Sequence, residues 1–197
     1  MKIPATGDLG LVELRNRSPL VLQLLPTGTV FALRHDGTLI NQVLPGPAED
    51  GLLRLLVRWR DETGATGWAR LVGPGLGFAV AGADAAVWRT DVGSGLRCTT
   101  VFHFDQRRAA WLWRVQLQNA GPVACSVDVL HAQDLGLADE GVVRNNEAYT
   151  SQYIDFLPVR DADLGWMIFA RQNLAMAGGR HPWLARTSSN HSSKKLE

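Results

Sequence analysis

An antiparallel all-β fold is predicted by three features of this sequence: short apolar runs, turn residues between them, and alternation within the clearest runs. Gly, Pro, Asn and Asp separate the runs at intervals of about 8–12 residues, a spacing typical of sandwiches and barrels. No pattern long enough for a three-turn helix occurs before residue 158. The length of 197 residues suits one domain, because β-sandwiches of about 200 residues often form a single unit.

Each predicted strand rests on a local signal. The tripeptide His35–Gly37 stands between two apolar runs, and its Asp-Gly pair favours a tight hairpin turn. Alternation in Trp111–Asn119 and Val123–His131 predicts strands with one face on the core. Alternation also favours a strand over a helix at Leu164–Leu174. The other predicted strands are Leu9–Asn16, Leu20–Leu25, Thr29–Arg34, Thr38–Leu44, Leu53–Arg60, Trp68–Val72, Gly77–Ala81, Val87–Asp91 and Leu96–Phe104.

Composition and charge argue against nucleic-acid and membrane partners. Twenty Lys and Arg face nineteen Asp and Glu, for a net charge of +1, and no basic stripe occurs. Neither a secretion signal nor a membrane-length apolar run is present, which predicts a cytoplasmic protein. Cys98 and Cys125 lie in apolar runs, so we expect buried free thiols. Most of the seven tryptophans are expected in the core, with stacking on sugar rings as the alternative.

No catalytic or metal-binding motif is complete, so neither a metal nor an organic cofactor is predicted. Five carboxylates crowded into 22 residues suggest either glycosidic acid–base work or a polar loop that caps turns and pairs with Arg144. The polar loop is favoured. A mutarotase-like epimerase that uses His103 or His131 with Glu140 or Glu147 is a further interpretation. The carboxylates are Asp134, Asp139, Glu140, Glu147 and Asp155.

The segment His131–Phe156 interrupts the strand pattern. It is long for a connection, and long connections without regular structure are usually functional or disordered. Apolar residues within it argue against disorder. It combines the only two tyrosines with amides, carboxylates and Arg, which are the groups that bind hydroxyl-rich ligands. The candidate sugar-binding or interface residues are Asp134, Arg144, Asn146, Glu147, Tyr149, Gln152, Tyr153 and Asp155.

Within this segment the run QDLGLADEGVVRNNEAYTSQYIDF resembles the amino-terminal domain of glycoside hydrolase family 94, formerly glycosyltransferase family 36. The similarity is to the 1,2-β-oligoglucan phosphorylase and cyclic β-1,2-glucan synthase types of this family of inverting phosphorylases. Four further motifs agree in the same order, so the resemblance covers roughly residues 20–185. These motifs are INQVL at 40–44, RCTTVF at 97–102, RQN at 171–173 and GRHPW at 179–183.

The resemblance implies a galactose mutarotase-like β-supersandwich over residues 1–186. The polar, Ser-rich composition of residues 187–197, which end in Leu-Glu, predicts a disordered or vector-derived tail there. Family members continue into a helical linker and an (α/α)6 barrel that carries the general-acid Asp and the phosphate site. No catalytic residue is therefore expected in this chain, and the sandwich is expected to lack its last strands.

The partners that the resemblance implies are a β-glucan oligosaccharide and phosphate in the intact enzyme, together with a second subunit in a homodimer. The amino-terminal domain would contribute sugar or dimer contacts. Two other functions stay open: a stand-alone carbohydrate-binding module, and a mutarotase-like aldose epimerase.

Overall fold

A computed structural model describes residues 10–46, 51 and 53–189, and within them the chain forms four antiparallel sheets. The strands are β1 (Val12–Arg15), β2 (Leu20–Leu24), β3 (Val30–His35), β4 (Thr38–Leu39), β5 (Arg54–Asp61), β6 (Thr66–Arg70), β7 (Gly77–Val80), β8 (Ala85–Val92), β9 (Leu96–Phe104), β10 (Trp111–Asn119), β11 (Cys125–Ala132), β12 (Ala138–Asp139), β13 (Ile154–Asp161), β14 (Gly165–Gln172) and β15 (Trp183–Thr187). Two short helices, α1 (Glu140–Asn145) and α2 (Glu147–Ser151), lie between β12 and β13.

The sheets have the strand orders β1-β2-β3-β4-β12, β10-β9-β8-β7, β11-β5-β6 and β13-β14-β15. We call the last of these the terminal sheet. The predicted all-β, sandwich-like fold is confirmed. Within the described residues, no helix is long and apolar enough to cross a membrane.

The predicted hairpin at His35–Gly37 joins β3 to β4. Asp36 and Gly37 both have positive φ, 47° and 78°, as a tight turn between twisted strands requires. The return strand ends at Leu39, so the predicted extension to Leu44 is wrong. Asn41 explains the early end, because its buried amide binds the carbonyls of Phe31 and Val43 and accepts from the amide of Leu33.

The core lies where the inner faces of the sheets meet. Strand β9 turns alternate residues inward, including Phe102 and Phe104. Trp88 is buried and its indole donates to the carbonyl of Gly28 at 3.0 Å. Gly28 has a φ of +81°, and a Cβ there would lie 2.7 Å from the Trp88 nitrogen. This close approach requires glycine.

The tryptophans divide into two groups. Trp88 is buried, and Trp59, Trp111 and Trp113 pack half-buried against the same core. The core interpretation is therefore correct for these four. Three others are about two-thirds exposed: Trp68, Trp166 and Trp183. Both cysteines are free thiols, as expected, but only Cys98 is buried, whereas Cys125 is half-buried.

The segment His131–Phe156 is more regular than expected. It contains β12, both helices and the start of β13, so the expectation of an irregular connection is wrong. Helices of five and six residues are too short to give a periodic signal. The prediction at Leu164–Leu174 is confirmed by β14, whereas β13 was not predicted. Pro158 lies inside β13, which is tolerated because β13 is an edge strand.

Candidate functional site

Two polar side chains, one half-buried and one buried, fix the segment His131–Phe156 to the rest of the fold; we call it the helical segment. The Asp134 carboxylate accepts hydrogen bonds from the amides of Gln42 and Val43, each at 2.7 Å. Burial raises the pKa of Asp134, although these amide hydrogen bonds act in the opposite direction. Both hydrogen bonds join the Asp134 side chain to backbone groups of the same domain and so stabilise the fold. Asp134 thus joins the start of the segment to the chain that follows β4.

The second anchor is Gln172, which the sequence did not mark as important to the site. Its side chain is fully buried at the end of β14. The amide nitrogen donates to the carbonyls of Gly136, at 2.9 Å, and Thr150, at 3.0 Å. The amide oxygen accepts from the backbone of Leu174 at 3.0 Å. Because Thr150 belongs to α2, Gln172 holds the helices against the terminal sheet.

On the solvent side of this anchored segment lies a pair of tyrosines. Asn146 caps the amino-terminal end of α2, and its side-chain oxygen accepts a hydrogen bond from the backbone amide of Tyr149 at 3.2 Å. The Tyr149 and Tyr153 rings meet edge to face with centroids 4.8 Å apart. The Tyr153 hydroxyl donates to that of Tyr149 at 2.9 Å, and this hydrogen bond raises the pKa of Tyr153. The rings are 43% and 38% exposed, so a ligand can reach both.

The predicted carboxylates and arginine of the segment are mostly paired within the chain. Glu140 bridges Arg34, at 3.1 Å, and Arg144, at 2.7 Å. The hydrogen bond from Arg34 is the main reason that the pKa of Glu140 is lowered. Asp139 pairs with Arg180 at 3.2 Å. The polar-loop interpretation, in which the carboxylates cap turns and pair with Arg144, agrees with the ion pair between Glu140 and Arg144.

The other candidate residues lie near the tyrosines or outside the described side chains. Asp155 is exposed at the start of β13 and accepts from the Asn173 side chain at 2.5 Å. The amide of Asn173 donates to the carbonyl of Tyr153 at 2.8 Å. Gln152 is exposed at the end of α2. The side chain of Glu147 lies outside the described part of the structure. The structure therefore brings the two tyrosines together, and Asn173 links Asp155 to the backbone of Tyr153.

A cleft of about 120 Å³ opens on the inner face of the terminal sheet. Phe156 and Ile168 line it, and they are 60% and 47% exposed although they share a face with buried Ala170.

Among the described residues, neither the enclosed Gln133 amide nitrogen nor either His131 ring nitrogen has a hydrogen-bond partner. Burial lowers the pKa of His131 to about 4, so its imidazole is neutral near pH 7.

Within the described residues, no group of three or more His, Cys, Asp or Glu side chains is arranged to hold a metal ion. Of the acidic residues in the helical segment, Glu140 and Asp139 pair with arginines, and Asp134 accepts hydrogen bonds from backbone amides.

A family model described as the SOGP N-terminal domain matches residues 23–195. The chain belongs to the SOGP N-terminal domain family. It is also 31% identical over 158 residues to a 1,2-beta-oligoglucan phosphorylase of Listeria innocua serovar 6a. That match covers 80% of this chain but 14% of the relative. The chain is thus a glucan-phosphorylase-related domain that spans about one-seventh of the relative's length.

The region that matches the SOGP N-terminal domain includes every candidate residue of the helical segment. Two of the sequence motifs now have a structural explanation. Asn41, from INQVL, and Gln172, from RQN, are buried and bind backbone groups. These motifs position the segment, whereas the tyrosine pair faces solvent.

Proposed function

We propose that this chain is the amino-terminal β domain of an inverting phosphorylase that acts on β-1,2-glucosides, and that its helical segment contacts sugar. The observation that carries the proposal is the similarity to a 1,2-beta-oligoglucan phosphorylase, together with the family match over residues 23–195. The exposed tyrosine pair supports a binding role for the segment, which is held in place by half-buried Asp134 and buried Gln172.

In the proposed enzyme, an oxygen of inorganic phosphate bonds to the anomeric carbon of the terminal glucoside while the glycosidic bond breaks. The configuration inverts and α-glucose 1-phosphate is released. A general acid transfers its proton to the leaving oxygen, which becomes the new hydroxyl of the shortened glucan. That acid would belong to the catalytic barrel rather than to this chain.

A contribution of this domain to sugar binding requires exposed aromatic faces beside fixed polar groups. Tyr149 and Tyr153 supply the aromatic faces, and their mutual hydrogen bond restricts their motion before a ligand arrives. Asp155 and Asn173 lie next to them as hydroxyl partners. All four residues are held by hydrogen bonds within the chain.

A second role within the same enzyme is subunit or domain contact. Phe156, Trp166 and Ile168 are exposed on the inner face of the terminal sheet, and adjacent large apolar side chains of this kind mark contact surfaces. We propose that other parts of the enzyme, or a second subunit of a homodimer, pack on this inner face.

The test compares the 197-residue chain with the longer protein that would contain it, by incubation with short β-1,2-glucans and phosphate. We expect glucose 1-phosphate from the longer protein and none from the chain alone. Phosphorolysis of cellobiose but not of β-1,2-glucans would contradict the linkage. Release of glucose 1-phosphate by the chain alone would contradict the division of labour.

A further inference from the structure

The outer face of the terminal sheet carries a row of three unlike side chains. Asp155 of β13 lies directly opposite Arg171 of β14, which in turn lies opposite Trp183 of β15. All three are exposed. Since neighbouring strands lie about 4.8 Å apart, the row spans about 10 Å. A carboxylate, a guanidinium and an indole are thereby presented side by side on a rigid sheet.

The two polar residues of the row, Asp155 and Arg171, differ in their contacts within the chain. One oxygen of Asp155 is held by Asn173, which fixes the carboxylate. The side chain of Arg171, unlike its strand-paired backbone, makes no hydrogen bond or ion pair with any residue that the structure describes. Its planar fork of donors is therefore available to acceptors from outside.

The aromatic member is supported from within the sheet. The Trp183 ring is 67% exposed, and its centroid lies 6.4 Å from that of half-buried Phe169. The backbone contact between Asn173 and Tyr153 extends the row to the tyrosine pair. We call Tyr153, Asp155, Arg171, Asn173 and Trp183 the outer strip.

A second row of the same composition gives an internal comparison. On the sheet β11-β5-β6, Asp128 lies opposite Arg58, which lies opposite Trp68, and Trp68 is 70% exposed. There, however, the guanidinium of Arg58 is bound by Asp128 at 2.6 Å. The two rows therefore differ in one respect that matters for binding, since only the outer strip has an arginine without a partner among the described residues.

We propose that the outer strip binds a gluco-oligosaccharide, with Trp183 stacked on a pyranose ring and with Arg171, Asp155 and Asn173 bound to its hydroxyls. The choice of a glucan rests on the proposed function. The small size of the strip favours a sugar over a protein partner. Its extent of about 10 Å by 7 Å is far below the roughly 800 Å² per partner of a specific protein interface.

The test is calorimetric titration of the 197-residue chain with short β-1,2-linked glucans. We expect wild-type binding to weaken about tenfold in both Trp183→Ala and Arg171→Ala, as the loss of one stacking or charged contact predicts. Trp68→Ala is the matched control and should bind as the wild type does. Circular dichroism of each variant would verify that it is folded.

The proposal is overturned if the wild-type chain gives no binding heat, if Trp183→Ala binds normally, or if Trp68→Ala weakens binding equally. A wild-type dimer that Trp183→Ala dissociates, without sugar binding, would also overturn it in favour of a protein interface. The proposed function is judged separately: phosphorolysis by the longer protein can succeed while the strip fails. Trp183-dependent glucan binding can likewise occur in a protein without phosphorolysis.

Discussion

Replacement of Gln172 by Leu tests whether the helical segment is held by a buried side chain. Leu has a similar volume but cannot form the three hydrogen bonds that Gln172 makes with Gly136, Thr150 and Leu174. The carbonyl of Thr150 retains a second contact, with the amide of Tyr153 at 3.3 Å. The substitution therefore leaves two backbone groups without a partner.

The expected cost follows from these two groups. An unsatisfied buried backbone group costs about 1–3 kcal/mol. Because the contact with Leu174 is only part-buried, water can replace some of it, and Gln172→Leu should lower the free energy of unfolding by about 2–4 kcal/mol. For a domain of this size that corresponds to a fall in Tm of roughly 4–16 °C. Total stabilities of about 5–15 kcal/mol are usual, so the variant should still fold.

Urea unfolding followed by circular dichroism measures this change, and hydrogen exchange at the Leu174 amide reports the local contact. Gln118→Leu is the control, because Gln118 is exposed on β10 and should change stability by less than about 0.5 kcal/mol. If Gln172→Leu were no more destabilising than Gln118→Leu, the anchoring role of Gln172 would be refuted.

Three further predictions follow from buried Cys98 and from half-buried Asp134 and His131. Asp134→Ala removes the acceptor of two backbone amides and should lower the free energy of unfolding, measured in urea, by about 2–4 kcal/mol. A change near zero would contradict the anchoring role of Asp134. The pKa of His131 is lowered by burial from its ordinary value of 6.5 to about 4 in the folded state, so the unfolded state binds more protons between these pH values. The free energy of unfolding should therefore fall by up to about 3 kcal/mol as the pH falls through this window. His131→Gln should remove this part of the pH dependence of stability. If the pH dependence were unchanged in the variant, it could not be attributed to His131. Burial raises the pKa of the Cys98 thiol to about 11. Native Cys98 should therefore react with a thiol reagent more slowly than half-buried Cys125. Faster reaction of Cys98 would contradict its burial.

Strand prediction succeeded where one face of a strand packs on the core along nearly its whole length. The bounds predicted for Leu96–Phe104 and Trp111–Asn119 are those of β9 and β10. Alternation is strong there because one face of each strand packs on the core. In contrast, β13 has exposed apolar residues on both faces and contains Pro158, so its sequence lacks the two-residue period. The two-residue strand β12 is too short to give any pattern.

The candidate site was predicted in part. The tyrosine pair could be found because both residues lie four positions apart in a short polar segment. Arg171 and Trp183 could not be joined to Asp155, because strand pairing brings them together across 28 positions of the chain. Nothing in the local sequence distinguishes Trp183 from Trp68 or Trp88. Their exposure depends on which sheet face each one occupies.

The sequence by itself determined the all-β class, the family and the segment that interrupts the strands, because alternation and motif spacing are local properties. Tertiary structure decided what the motif residues do. Asn41, Asp134 and Gln172 are polar and could have been ligand contacts, but their side chains bind backbone groups within the fold. That distinction depends on burial, which only the packing of distant strands creates.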